Sequence, residues 1–131
     1  MPTHAILMPL KATSECPPRD WATRYTSSFG ASTTTKLYIG IDEDDALWET
    51  THRNEAKGLL PFEEVVCAHA PGAVCAIWDT LARRAVADGC DGLLILFGDD
   101  VTYRGAPSWL DAVWKSMAPP PVRAPPRGSA R

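Results

Sequence analysis

The sequence predicts an α/β fold, a mainly parallel sheet of about four strands flanked by helices, and three observations carry that expectation. Short apolar runs with strand character alternate with segments of helical period, the pattern of βαβ units. The run Leu93 to Phe97 is apolar throughout, as in a strand covered by helices on both faces. A chain of 131 residues, 45% hydrophobic and 22% charged, suits one globular domain whose core needs no metal or disulfide staple.

The first strand is Ala5 to Leu10, with Pro9 near its end, and Lys11 to Pro18 forms an irregular loop with two further prolines. Trp21, Tyr25 and Phe29 recur every four residues, so a helix follows, with Gly30 as its stop. The second strand, Lys36 to Ile41, runs into the acidic stretch Asp42, Glu43, Asp44, Asp45, and a helix is expected around Leu47 to Lys57. Glu63 to Ala68 is the third strand. Pro71 and Gly72 open the most regular helix, where Val74, Ile77, Trp78, Leu81, Ala82, Ala85 and Val86 form one broad face and Gly89 ends it. Leu93 to Phe97 is then the fourth strand and the expected centre of the sheet. Ser108 caps a last helix with Leu110, Val113, Trp114 and Met117 as its buried stripe and Asp111 completing a capping box.

Residues 1–117 form the folded unit, and 118–131, with Pro119, Pro120, Pro121, Pro125 and Pro126, read as a disordered or polyproline extension. The tail also holds Arg123, Arg127 and Arg131 and no acid, so a total charge of −3 leaves −6 on residues 1–117. An acidic domain lacks the basic face that nucleic-acid binding needs. No apolar run approaches the ~20 residues of a membrane-spanning helix. The first run also lacks a preceding Lys or Arg and a cleavage site, so a cytoplasmic protein is expected. Cys16, Cys67, Cys75 and Cys90 form no CxxC pair and read as free thiols filling the core. His4, His52 and His69 read as surface or loop residues. The five tryptophans read as core anchors, although Trp48 beside the acidic stretch could stack on a ring.

Ligands of open α/β sheets bind outside the carboxyl ends of the strands. Asp42, Asp44 and Asp45 follow the second strand and Asp99 and Asp100 the fourth, so both clusters can face one crevice. Adjacent carboxylates repel unless a cation neutralises them, which makes Asp99 and Asp100 a seat for Mg²⁺ or Mn²⁺. Solvated turns remain the other reading, because Asp also suits turns through its own backbone hydrogen bonds. No GxxxxGK[ST] loop, GxGxxG fingerprint or GxSxG elbow is present.

The strand ending in a Pro-containing loop (Ile6 to Leu10), the second ending in Asp (Ile39 to Asp42), the Gly-started third helix and the fourth strand ending in an acidic pair (Leu93 to Asp100) resemble a known family. Over residues 5 to 117 the chain is similar to the nucleotide-sugar-binding half of a GT-A glycosyltransferase of the family 2 type, a Rossmann-like fold. The resemblance implies a nucleoside diphosphate sugar as donor, with Asp42 near the base and Pro9, Lys11 and Thr13 along the nucleoside. Asp44 and Asp99 complete the implied donor contacts, and Asp99 and Asp100 hold Mn²⁺ or Mg²⁺ on the diphosphate. Gly98 stands where the family's Asp-x-Asp motif has its first Asp, so Asp100 becomes the direct ligand and Asp99 acts through water. The family's acceptor-binding half has no counterpart after the last helix, which leaves the acceptor and the catalytic base unassigned. The chain is then a fragment, a donor-binding half or an enzyme completed by another chain, and its open sheet edges favour self-association or a partner segment. Two other readings stand beside this one: a non-catalytic interaction module with a proline-rich tail, and a receiver-type phosphoacceptor domain.

Overall fold

A computed structural model describes residues 2–30, 34–68, 74–105 and 108–117. The 118–131 extension, His69, and the helix-opening Pro71 and Gly72 lie outside the described residues. The elements in chain order are β1 (His4–Leu10), α1 (Pro18–Phe29), β2 (Thr35–Asp42), a π-helical turn (Trp48–His52) running into α2 (Arg53–Lys57), β3 (Glu63–Cys67), α3 (Val74–Ala87), β4 (Leu94–Leu96) and α4 (Trp109–Met117). The four strands are all parallel in the order β3-β2-β1-β4, which establishes the expected Rossmann-like α/β arrangement.

Strand alternation divides the core. Ile6, Met8 and Leu10 of β1 and Leu37, Ile39 and Ile41 of β2 face Trp21, Tyr25 and Phe29 of α1, with Trp48 and Ala56 beside them. On the opposite face Ala5, Leu7 and Tyr38 meet Leu81 and Ala85 of α3, with Val65 and Cys67 of β3. Proline at the first position of α1 loses no helical hydrogen bond, and Gly30, at φ 68°, ends the helix by donating its N–H to Thr26 O at 2.8 Å. Gly40 lets α3 approach β2: a Cβ there would stand 2.7 Å from Ile77 Cγ2 and 3.2 Å from Leu81 Cδ1. Ile77 Cγ2 is fixed by its branched Cβ and cannot swing aside. Gly40→Ala should therefore cost about 1–3 kcal/mol, measured by urea unfolding, because α3 itself has to move.

Strand β4 is the principal correction. It is an edge strand, not the centre of the sheet, because α3 carries the chain over β2 and β1 and lays β4 on the free side of β1. Ile95 and Phe97 pack on the α1 side, whereas Leu94 and Leu96 are 40% and 51% exposed on the other. The pairing continues past the strand ends, since Ala5 N–H donates to Leu93 O and Phe97 N–H to Leu7 O, both at 2.9 Å.

Histidine burial also departs from expectation. His4 is fully buried, its Nδ1 accepting the Leu93 N–H at 2.9 Å and its ring edge-on to Trp114, and His52 is buried as well. Asp111 lies 3.6 Å from His4 Nε2, while the Ser108 carbonyl accepts the Asp111 and Ala112 N–H groups. Trp48 is fully enclosed, donating from Nε1 to Glu64 Oε1 at 3.1 Å and meeting Phe62 edge-on, so its ring is a core anchor with no face for a ligand. The four cysteines are free thiols; Cys67 is buried, whereas Cys75 is exposed and fills no core.

Candidate functional site

Register brings the loops to one edge. Pro9 and Leu10 of β1 lie beside Gly40 and Ile41 of β2, and Asp42 lies beside Cys67 of β3. Asp99 follows Phe97 by two residues at the same end of β4. A cleft of about 400 Å³ opens there, lined by Pro9, Leu10, Lys11 and Thr13 after β1, Asp42 after β2, Asp99 after β4, and Val74 and Ile77 of α3. The position is that of the topological switch point, between a strand whose chain leaves on one face and a neighbour reached from the other.

Of the residues singled out in the sequence, Pro9, Lys11, Thr13, Asp42 and Asp99 meet in this cleft. Asp44 is exposed and is not among the described lining residues. Asp100 is exposed too, and its Oδ1 lies 3.0 Å from where a Cβ on residue 98 would stand. The turn thus brings the Asp100 carboxylate close over Gly98, so that a side chain there would have to push it aside. Val74 and Ile77 were not read as site residues; the signal was present, since each helix of a parallel βαβ unit starts at the carboxyl edge of the sheet.

Asp45 organises the walls. Its Oδ2 accepts the Ala12 N–H at 2.9 Å and its Oδ1 the Trp48 N–H at 3.1 Å, while its carbonyl accepts the Glu49 N–H. One carboxylate thereby caps the helix after β2 and pins the loop after β1. Asp45→Ala is expected to lower stability by about 1–2 kcal/mol in chemical unfolding and to loosen residues 11–13.

Lys11 is the single cation among the described lining residues, against the carboxylates of Asp42 and Asp99. Burial, and after it the neighbouring Asp100, push the Asp99 carboxyl above the usual carboxylate range, against the pull of Arg24. The Cys67 thiol beside Asp42 is likewise raised by burial and by that carboxylate, which keeps it protonated and unreactive. None of the described lining residues is a histidine.

The fit of a divalent ion rests on oxygen donors. Among the described residues no three or more His, Cys, Asp or Glu side chains gather for a metal. Asp99 and Asp100 supply two carboxylates, a sufficient protein share for Mg²⁺ or Mn²⁺ where phosphate oxygens and waters complete the shell. Electrostatics agree, because a cation would offset the cost of holding Asp99 ionised next to Asp100. Among the described residues no helix is long and apolar enough to cross a membrane. No family model matches the chain, and no curated protein or solved structure matches it either.

Proposed function

We propose that the cleft is the donor site of a glycosyltransferase-type domain, taking a nucleoside diphosphate sugar together with Mn²⁺ or Mg²⁺. The observation that supports this most is the convergence of Lys11, Asp42 and Asp99 from three strand ends on one cleft at the switch point. Asp42 and Asp99 outweigh Lys11, so an anionic diphosphate would be repelled without an added cation. In this reading Asp99 and the nearby Asp100 hold the ion, and Asp99, which lines the cleft, replaces Asp100 as the direct ligand. Lys11 meets the phosphates, Pro9 and Thr13 lie along the nucleoside, and Asp42 accepts hydrogen bonds from base or ribose. Val74 and Ile77 exclude water from one wall. When bound, the metal would supply Lewis-acid stabilisation of the departing diphosphate.

The order β3-β2-β1-β4 supports this reading over a receiver-type phosphoacceptor, whose flavodoxin-like sheet runs 2-1-3-4-5. Free thiols suit a cytoplasmic setting. The uncovered Leu94 and Leu96 favour one addition, a second copy or a completing chain on the β4 side, and they equally suit a non-catalytic interaction module.

Calorimetric titration of UDP, GDP and their sugar conjugates, with and without Mn²⁺, tests the proposal. Saturable binding that requires Mn²⁺ is expected for one base. Absence of binding to all of them, with or without metal, would sink the donor-site reading and leave the interaction module.

A further inference from the structure

Arg24, at the middle of α1, reaches two loops that leave different strands. Its Nε donates to the Asp99 carbonyl at 2.6 Å, and an Nη donates to Cys16 Sγ at 3.2 Å. Asp99 begins the turn after β4, where Val101 N–H bonds Gly98 O at 3.1 Å. Cys16 closes the loop after β1, its N–H bonding Thr13 O at 3.3 Å. Thr13 and Asp99 both line the cleft, so one guanidinium joins two of its walls. One helical turn on, Ser28 adds to the grip on the second segment. Its Oγ accepts the Tyr103 N–H and donates to Arg24 O, and its carbonyl accepts Trp109 Nε1, each at 2.8 Å. Ser28 holds Tyr103 and Trp109 alone, whereas Arg24 also holds the loop after β1.

We infer that Arg24 is a positioning residue of the cleft, locking the acidic turn after β4 to the loop after β1 so that the two walls keep one spacing. The residue type suits the task. A guanidinium is always charged and presents its donors in a rigid planar fork, so it can hold two acceptors in different directions at once. An ammonium also has several donors, but they sit on one compact head at the end of a flexible stem and do not span acceptors held on two separate loops. The consequence for ligand binding rests on the donor-site reading; the locking of the walls does not.

The test is amide hydrogen exchange on the full chain, comparing the parent with Arg24→Met and Arg24→Lys, alongside titration with Mn²⁺ and UDP. In Arg24→Met the amides of Val101 and Cys16 should exchange about tenfold faster or more, while those of Ile6 to Met8 in β1 keep their protection. Arg24→Lys should restore protection at one wall and not at both, and it keeps the inference testable where Arg24→Met fails to fold. Mn²⁺-dependent UDP affinity should fall by about tenfold or more in Arg24→Met, because separated walls misplace the ligand's contacts. Unchanged exchange at both Val101 and Cys16 in the variants would overturn the inference. So would a rise spread evenly over β1 and β2, which is the signature of general destabilisation. Failure of the parent to bind Mn²⁺ and UDP would count against the donor-site reading alone, since the exchange data decide the lock independently.

Discussion

Asp99→Ala should weaken Mn²⁺-dependent UDP binding by about 100-fold or more, roughly 2.7 kcal/mol, without unfolding the domain. On the donor-site reading, removing this carboxylate would take away the cleft's contact with the metal and leave Lys11 to meet the phosphates unaided. Asp100→Ala should cost less, about tenfold, in line with outer contributions to metal affinity. The stability response distinguishes a site residue from a structural one. The Asp99 carboxyl is raised above its ordinary value, so ionising it costs more in the folded than in the unfolded state. The folded state then binds the proton more tightly, and stability falls as pH rises from the ordinary carboxylate value of about 3.9 through the raised one. Above the raised value that cost is fully present, and there Asp99→Asn, which keeps the shape without the charge, should raise the melting temperature in the absence of metal. A variant that melted well below the parent would mark Asp99 as a structural residue.

Trp48→Ala carries the largest expected loss of stability, about 3–5 kcal/mol in urea unfolding, comparable with the whole stability of a small domain. The indole is fully buried, and its removal deprives Glu64 of one donor, leaving Arg53, whose Nε donates to both Glu64 oxygens at 2.7 and 2.9 Å. Trp48→Phe should cost less, because the apolar volume is largely kept and Arg53 still meets Glu64. Trp48→Phe should also bind Mn²⁺ and UDP as the parent does, since the ring contributes no ligand contact. A large affinity loss in a folded Trp48→Phe protein would contradict its assignment to the core.

The elements that could be read from the sequence are those written in local periodicity. Trp21, Tyr25 and Phe29 mark α1, and Ile77, Leu81 and Ala85 mark α3, because one buried face fixes a helical repeat. The strand ends, and with them the meeting of Pro9, Lys11, Thr13, Asp42 and Asp99, follow from parallel topology once the βαβ alternation is recognised. Strand order is different in kind. An apolar run such as Leu94 to Leu96 reads alike at the centre and at an edge, and its place depends on which side of β1 the crossover reaches. His4 hid for a similar reason: its partner, the Leu93 N–H, lies 89 residues away, and its burial comes from Trp114 of α4. That Asp99 lines the cleft depends on how the turn after β4 folds, which no spacing rule encodes. Asp45 was read as part of the acidic cluster, but its hold on the loop after β1, like the reach of Arg24 to the turn after β4, was not legible because the Ala12 N–H and the Asp99 carbonyl lie on distant loops.

The central claim is that the ends of β1, β2 and β4 form one metal-dependent diphosphate site, and paramagnetic broadening by Mn²⁺ in the presence of UDP tests it most directly. Amide signals of Lys11, Thr13, Asp42 and Asp99 should broaden together on adding substoichiometric Mn²⁺ with UDP. Those of Thr35, at the start of β2, and of Asp88 at the end of α3, should stay sharp. Broadening centred away from these three strand ends, or the same weak broadening with and without UDP, would contradict the account.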